Sequence, residues 1–174
     1  MAGYIFKRNK GVKMDRILTV EESIEVSNKL RGENKKVVLV GGCFDLIHVG
    51  HIKFLKEAKK YGYTFVLLEC DESIKKLKGE GRPITPLLER AEILASISYV
   101  DYVIILNKMI NDDEYTKLVR NIKPNFIAIT KGDSLKSVKE KQAKDIDAEI
   151  IEVTEKVEDK SSSRLAQLLR NINI

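Results

Sequence analysis

The stretch VVLVGGCFDLIHVGH, residues 37–51, contains a strand signal, a glycine bend and the start of a helix in immediate succession. Its first four residues are apolar and mostly β-branched, which is typical of a strand buried on both faces of a parallel sheet. The two glycines end the strand in a tight turn, and residues 49–60 continue as a helix. This order predicts the first unit of an α/β fold.

The same alternation continues along the rest of the chain. Further strand-like runs occur at 64–69, 101–106, 125–130 and 148–153. Helix-like stretches occur at 19–31, 86–98, 112–121, 134–146 and 162–172, the first with Thr19 and Glu22 at the spacing of a capping box. Strands that alternate with helices indicate βαβ units. We therefore predict a single α/β domain over residues 17–174, with a five-stranded parallel sheet and helices on both faces, after a basic N-terminal tail at 1–16.

Composition narrows the class of protein. The 174 residues carry a net charge of +5, yet the basic residues are mixed with acidic ones and aromatic residues make up only 6%. This distribution argues against nucleic-acid binding and favours a pocket for small anions such as phosphates. No apolar run reaches the length of a membrane span and the N-terminus has no apolar signal segment, so we expect a cytoplasmic protein with no membrane partner. The two cysteines, Cys43 and Cys70, are too few and too far apart for a disulfide scaffold or a CxxC zinc site.

Both histidines of the chain, His48 and His51, lie at the start of the helix that follows the bend. Side chains three positions apart project from the same side of a helix, and Gly50 leaves open surface between them. A helix N-terminus also offers unpaired amide N–H groups and a partial positive charge, which suit phosphate. We expect this turn to bind a chain of phosphates. The alternatives are two capping or core histidines, or a zinc site, for which the sequence supplies no evident third ligand.

The segment GGCFDLIHVGH, residues 41–51, resembles the H-x-G-H signature of the nucleotidyltransferase superfamily, the cytidylyltransferase-like enzymes. The resemblance implies a Rossmann-like domain that joins a nucleotide to a phosphorylated small molecule and releases pyrophosphate. CDESIKKLKGEGRPITPLLER (70–90) is similar to the heptose 1-phosphate adenylyltransferase branch in its D-x-S, K-G-x-x-R-P and E-R elements. The preceding strand departs from that branch, because it ends LECD where V-N-S-D is usual.

Two later segments extend the resemblance. TKGDS (130–134) is similar to a K-G-G-D-Y element of the same branch, although on the residues alone it also fits a turn that caps the next helix. The serines of KSSSR (160–164) are similar to an S-T-T or S-S-S element, and they also fit a simple helix N-cap. The charged segment 70–90 has its own alternative, a solvated loop without a ligand.

The resemblance implies a role for each motif residue. The residues expected to act in catalysis are His48, His51, Lys78 and Arg90. Those expected to bind the nucleotide are Gly42, Cys43, Phe44, Gly50, Lys131, Asp133, Ser162 and Ser163. Those expected to bind the second substrate are Asp45, Asp71 and Arg82. Lys78 and Arg82 are expected in a flexible glycine-bearing loop, and Arg90 is expected to reach the same pocket from the next helix.

The chemistry implied is an in-line attack by the acceptor's phosphate oxygen on the α-phosphorus of a nucleoside triphosphate. The nucleophile is already charged, so positioning and stabilisation of phosphate charge suffice, with Mg²⁺ screening the phosphates and no protein metal site. The base and the acceptor stay open. Heptose 1-phosphate with ATP is the nearest resemblance, and glycerol-3-phosphate cytidylyltransferase and FAD synthetase are alternatives of the same class. A non-catalytic nucleotide-binding domain is the alternative of a different class. A homodimer is expected from base rates.

Overall fold

The computed structural model describes residues 14–108, 111–155 and 164–167. A 3₁₀ turn, Met14–Arg16, precedes the first strand. The strands are β1 (Ile17–Leu18), β2 (Val37–Gly42), β3 (Tyr63–Leu68), β4 (Tyr102–Ile105), β5 (Phe126–Thr130) and β6 (Glu149–Thr154). The helices are α1 (Val20–Gly32), α2 (Val49–Lys59), α3 (Asp71–Lys78), α4 (Leu87–Ser96), α5 (Asp112–Ile122) and α6 (Lys136–Lys144). Residues 164–167 are also helical.

All pairings in the sheet are parallel, and the strand order is β1-β4-β3-β2-β5-β6. From β2 the chain moves to one side through β3 and β4, then crosses to the other side at β5. The direction of winding therefore reverses between β2 and β5. In open α/β sheets, ligands bind beyond the carboxyl ends of the strands at this switch point. The bend at 41–48 follows β2, so the fold places it at that edge.

The core consists of one apolar cluster on each face of the sheet. Side chains alternate along β2, so Val38 and Val40 pack with α2 and α4 on one face. Val37 and Leu39 pack with α1, α5 and α6 on the other face. The helices on both faces and the parallel strands confirm the predicted α/β class.

The predicted strands and the helices that lie within the described residues agree with the structure to within two residues at each end. The Thr19 and Glu22 capping box is present as predicted, because the Glu22 amide donates to Thr19 Oγ1 at 3.2 Å and the Thr19 amide donates to Glu22 Oε2 at 2.8 Å. Local interactions such as this capping box can be predicted from sequence because both partners lie within one short segment of the chain.

The prediction of five strands is wrong, since the sheet has six. Strand β1 contributes only two residues, Ile17 and Leu18, which pair with Val103 and Ile104 of β4. Two residues are too few to show a period, and their pairing partner lies far along the chain. The sequence also missed α3, whose segment we expected to be a loop. Ile74 is its buried residue among many charged ones, so its apolar face is narrow.

Some predicted segments fall outside the described residues. These are the tail up to residue 13, residues 162–163 of the last predicted helix and its end from 168. Among the helices that are described, none combines the length and the apolar character that crossing a bilayer requires.

Candidate active site

The bend after β2 is held in an uncommon backbone conformation. Phe44 has a φ of +45°, which side chains rarely adopt, and its ring is 5% exposed. A Cβ atom on Gly42 would lie 3.0 Å from that ring, so the glycine permits the aromatic side chain to fold back over the end of the strand. The same ring packs against His51, with 5.1 Å between the ring centroids. Phe44 therefore couples the bend to the first turn of α2.

The two imidazoles lie against each other and cap their own helix. Their ring centroids are 3.9 Å apart and the planes are tilted by 30°. His48 Nδ1 accepts a hydrogen bond from the Gly50 amide at 3.1 Å, and His51 Nδ1 accepts one from the His48 amide at 3.3 Å. The amides of His51 and Ile52 bond to the His48 carbonyl. The expectation that this turn presents unpaired amides is therefore wrong for these four N–H groups.

These contacts determine which nitrogen of each ring carries the proton. Because Nδ1 of both His48 and His51 accepts from a backbone amide, each neutral ring holds its hydrogen on Nε2. Burial, the charge of His48 and the charge of Lys78 lower the pKa of His51 to about 4. At neutral pH this ring is therefore a neutral Nε2–H donor. The prediction that the two histidines lie together is confirmed. The hydrogen-bond donors of the turn are the imidazole rings, however, and not unpaired amides.

The low pKa of His51 predicts a stability that depends on pH. The unfolded chain has the ordinary pKa of 6.5 and takes up a proton before the folded protein does. The contribution of the neutral ring to stability is therefore complete above pH 6.5 and is lost as the pH falls from 6.5 to about 4. We expect urea unfolding to show a larger loss of free energy between about pH 7 and about pH 5 for the wild type than for His51→Asn. Equal losses for the two proteins would contradict the assignment.

Lys78 and Cys43 lie close to the histidine turn. Lys78 ends α3, one residue before Gly79 at a φ of +87°, and its charge acts on both His51 and Cys43. Burial raises the pKa of the Cys43 thiol, which Lys78 opposes. The structure therefore places Lys78 at the end of a helix and not in the flexible loop that we expected, but it does bring this cation to the turn.

Asp45 and Arg82 form a buried ion pair. Asp45 is 2% exposed and Arg82 is 6% exposed. Arg82 Nε donates to Asp45 Oδ2, while the amides of Ile84 and Thr85 donate to Oδ1 at 2.8 and 3.0 Å. Burial alone would raise the pKa of Asp45, but these hydrogen bonds and the guanidinium charge outweigh it and lower the pKa. Arg82 is thus fixed in the interior, and the expectation of a flexible position is wrong.

One nitrogen of Arg82 has no hydrogen-bond partner in the described part of the chain. Its Nη2 is shielded from solvent and makes no hydrogen bond within the described residues. Native proteins leave few buried donors unpaired, and such a donor indicates a place for an anion or another acceptor.

The ion pair predicts a measurable loss when its charge is removed. Asp45→Asn keeps an oxygen for the amides of Ile84 and Thr85 but leaves the buried guanidinium of Arg82 without its counter-ion. We expect unfolding in urea to show a loss of about 1.5–3 kcal/mol, the range for a hydrogen bond to a charged group. Asp147→Asn, a change of an exposed carboxylate, is the matched control and is expected to stay within about 0.5 kcal/mol of the wild type. A loss no greater than that of the control would contradict a stabilising role for the pair.

Arg90 lies inside the fold and does not present its guanidinium to solvent. It is 0% exposed, and its nitrogens donate to the carbonyls of Thr85, Cys43 and Glu69 at 3.0, 2.7 and 2.9 Å. Nη2 also donates to Asp71 Oδ1 at 2.6 Å. These partners belong to the segments that follow β2, follow β3 and precede α4. The structure therefore supports a positioning role, in place of the direct reach into the pocket that we expected.

The segment after β5 makes mainly local contacts. Asp133 accepts from the Leu135 amide at 2.8 Å and from Lys139 Nζ at 2.7 Å, and so organises the start of α6. Lys131 is exposed and pairs with Glu155 at 2.9 Å. The alternative of an N-cap at Asp133 or Ser134 is wrong, because Leu135 is the N-cap of α6 and no side chain caps it. The expected nucleotide contacts of Lys131 and Asp133 stay predictions, and Ser162 and Ser163 lie outside the described residues.

Glu69 and Tyr115 are candidate site residues that sequence reasoning did not single out. Glu69 follows β3, and its Oε1 accepts from the Tyr115 hydroxyl at 2.7 Å. Burial raises the pKa of the Glu69 carboxyl, against the lowering effects of Tyr115, the Arg90 charge and the nearby Ser73 hydroxyl. The available signal was a carboxylate that ends an otherwise apolar strand, TFVLLE at 64–69.

Known proteins resemble this chain in sequence. The model of the family described as cytidylyltransferase-like matches residues 39–171. Bifunctional protein HldE of a Nitratiruptor species is 37% identical over 152 residues, which is 86% of this chain and 31% of that protein. Bifunctional protein HldE of Aliarcobacter butzleri is 46% identical over 112 residues, 64% of this chain and 23% of that protein. The chain thus spans less than a third of the length of these curated relatives.

Two solved structures share the fold. The lipopolysaccharide core biosynthesis protein of Thermoplasma volcanium has a TM-score of 0.59 and 25% identity, over 70% of this chain and 98% of that one. The pantoate-beta-alanine ligase of Francisella tularensis, solved with beta-gamma ATP and beta-alanine, has a TM-score of 0.62 over 87% of this chain and 72% of that one. Its identity is 18%, so this second likeness shows the fold alone.

Proposed function

Because this chain belongs to the cytidylyltransferase-like family, we propose that it transfers a nucleoside monophosphate from a nucleoside triphosphate to a phosphorylated sugar and releases pyrophosphate. The observation that carries the proposal is the histidine pair. Two stacked imidazoles at the switch point of the sheet each have Nδ1 engaged by an amide, which leaves Nε2–H as the donor of the neutral ring. Hydrogen-bond donors of this kind stabilise charge that develops on phosphate oxygens during transfer.

Lys78 and Arg82 are assigned to different substrates. Lys78 acts on the same turn as His51 and suits the leaving pyrophosphate, since its charge reaches that ring. Arg82 has a buried Nη2 without a partner among the described residues and suits an anionic oxygen of the acceptor. The acceptor phosphate is a charged nucleophile, so the protein's task is to hold it in line with the α-phosphorus. The site thus needs no general base.

Mg²⁺ is part of the proposal as a companion of the triphosphate. Across the described residues there is no group of three or more His, Cys, Asp or Glu side chains that would hold a metal ion. Asp45 and Asp71 are engaged with Arg82 and Arg90. The ion would therefore enter bound to phosphate oxygens, where it neutralises their charge, and no step requires a protein metal site.

The acceptor class rests on the motifs in residues 70–90 and on the name of one relative. Lipopolysaccharide cores contain sugars, so the Thermoplasma protein's name agrees with a sugar phosphate. Heptose 1-phosphate with ATP is the first candidate, and glycerol 3-phosphate with CTP and FMN with ATP are the alternatives. A homodimer and a cytoplasmic location are proposed with it.

A pyrophosphate-release screen tests the function. The purified chain is incubated with Mg²⁺, each of the four ribonucleoside triphosphates and each of several acceptors: heptose 1-phosphate, mannose 1-phosphate, glycerol 3-phosphate and FMN. We expect acceptor-dependent release with a sugar phosphate. Release only with FMN or glycerol 3-phosphate would move the assignment to those activities. Nucleotide binding without release for any pair would indicate a non-catalytic nucleotide-binding domain and would overturn the proposal.

A further inference from the structure

The main chain of Glu69 is fixed at the carboxyl edge of the sheet, beside the proposed site. Its amide donates to the Gly42 carbonyl at 3.3 Å, and its carbonyl accepts from Arg90 at 2.9 Å. These bonds join Glu69 to the bend that contains Cys43, on the strand next to β2. Its position is therefore as firmly set as that of the histidine turn.

The carboxylate has one oxygen that the fold uses and one that it does not. Oε1 accepts from the Tyr115 hydroxyl at 2.7 Å. Tyr115 belongs to α5 and packs against the apolar cluster that lies between this helix and the sheet. Oε2 is shielded from solvent and meets no donor with hydrogen-bond geometry among the described residues, although the Ser73 hydroxyl is near enough to lower the pKa of the carboxyl. A buried carboxylate oxygen without a donor is costly, so a site that keeps one is suited to a ligand that brings the donor. Glu69 as a whole is only half-buried.

The surrounding charges identify the kind of donor. Glu69 and Lys78 both act on the Cys43 thiol, and Lys78 also acts on His51. The carboxylate and the cation that we assign to phosphate therefore both lie near Cys43. A phosphate group would be repelled by Glu69, and the described residues provide no further carboxylate or imidazole cluster for a metal ion there. The remaining partner is a neutral donor, and a hydroxyl group of a polyhydroxylated acceptor is one.

We propose that Glu69, held by the Tyr115 hydroxyl, recognises a hydroxyl group of the acceptor and so selects sugar phosphates over acceptors that lack a hydroxyl at that place. The inference rests on the proposed nucleotidyl transfer and adds to it a specificity-determining residue. Glu69 takes no part in the bond making. It positions the sugar while its phosphate is held by the cations of the site.

Steady-state kinetics with the best acceptor from the screen test this inference. Glu69→Gln keeps the shape of the side chain and removes its charge. We expect the acceptor KM to rise about 10-fold, with kcat and the KM of the triphosphate within about twofold of the wild type. Tyr115→Phe removes the bond that orients the carboxylate, and we expect a rise of about 2- to 10-fold in the same constant. Glu92→Gln, the same change at an exposed position of α4, is expected to change nothing.

A set of monodeoxy derivatives of that acceptor completes the test. The wild type is expected to discriminate strongly against one derivative, and Glu69→Gln is expected to discriminate much less against that same one. An unchanged acceptor KM in Glu69→Gln overturns the inference and leaves the proposed function standing. If Glu69→Gln raises the KM of the triphosphate as much as that of the acceptor, the inference is also overturned. The same holds if Ser73→Ala raises the acceptor KM as much as Glu69→Gln does. No pyrophosphate release by the wild type overturns both proposals.

Discussion

Replacing His51 by alanine is expected to lower kcat by about 100- to 1,000-fold, and replacing His48 is expected to do the same. Each ring supplies an Nε2–H donor whose orientation is set by an amide bonded to Nδ1. Removing a preorganised donor to developing phosphate charge costs this much because water cannot replace it with the same geometry. Pyrophosphate release under saturating substrates measures the effect.

Asparagine variants separate the catalytic role of the rings from their capping role. His48 is the N-cap of α2, and asparagine is a good N-cap residue because its side-chain oxygen accepts from the same amides. We expect His48→Asn to keep the wild-type unfolding free energy within about 0.5 kcal/mol, whereas His48→Ala loses about 1 kcal/mol. Both variants are expected to lose the rate. Near wild-type turnover in a folded asparagine variant would refute the assignment of the donor.

The parts of the site that the sequence revealed are those whose partners are close in the chain. The strand at 37–42, the bend and the two histidines are consecutive, so their proximity follows from a turn and a helical period. Whether the amides of this turn are already hydrogen-bonded was not predictable, because it depends on the rotamer of each imidazole. A ring turned the other way would have left the Gly50 and His48 amides for phosphate, whereas the observed rotamers use them.

The parts that the sequence did not reveal depend on distant partners. Arg82 and Arg90 both stand in motifs that resemble phosphate-binding elements, and a positive charge in a motif suggests a ligand. The carbonyl of Cys43 is 47 residues from Arg90, and Asp45 is 37 residues from Arg82. Only the tertiary fold shows that these guanidinium groups point inward. Strand β1 was missed for the same reason, because its pairing with β4 is not local.

Arg90→Leu is expected to cost about 3–5 kcal/mol of unfolding free energy, because several buried acceptors lose their donor at about 1–3 kcal/mol each. Arg90 is fully buried and donates to three carbonyls and to Asp71. Leucine fills part of the volume but leaves the carbonyls of Cys43 and Glu69 without this donor. Native domains are stable by only about 5–15 kcal/mol, so the variant will approach the limit of folding. Urea unfolding at neutral pH, followed by circular dichroism, measures the loss.

Arg90→Lys distinguishes a positioning residue from one that holds pyrophosphate directly. Lysine keeps the charge but presents a single nitrogen, which cannot span the carbonyls of Thr85, Cys43 and Glu69 together. A positioning role predicts a loss of stability of about 2 kcal/mol or more, with kcat falling while the KM of the triphosphate stays as in the wild type. A direct contact predicts the reverse, an unchanged unfolding free energy and a raised KM of the triphosphate. The four hydrogen bonds of the buried guanidinium favour the first result, because they leave one of its five N–H groups for any ligand.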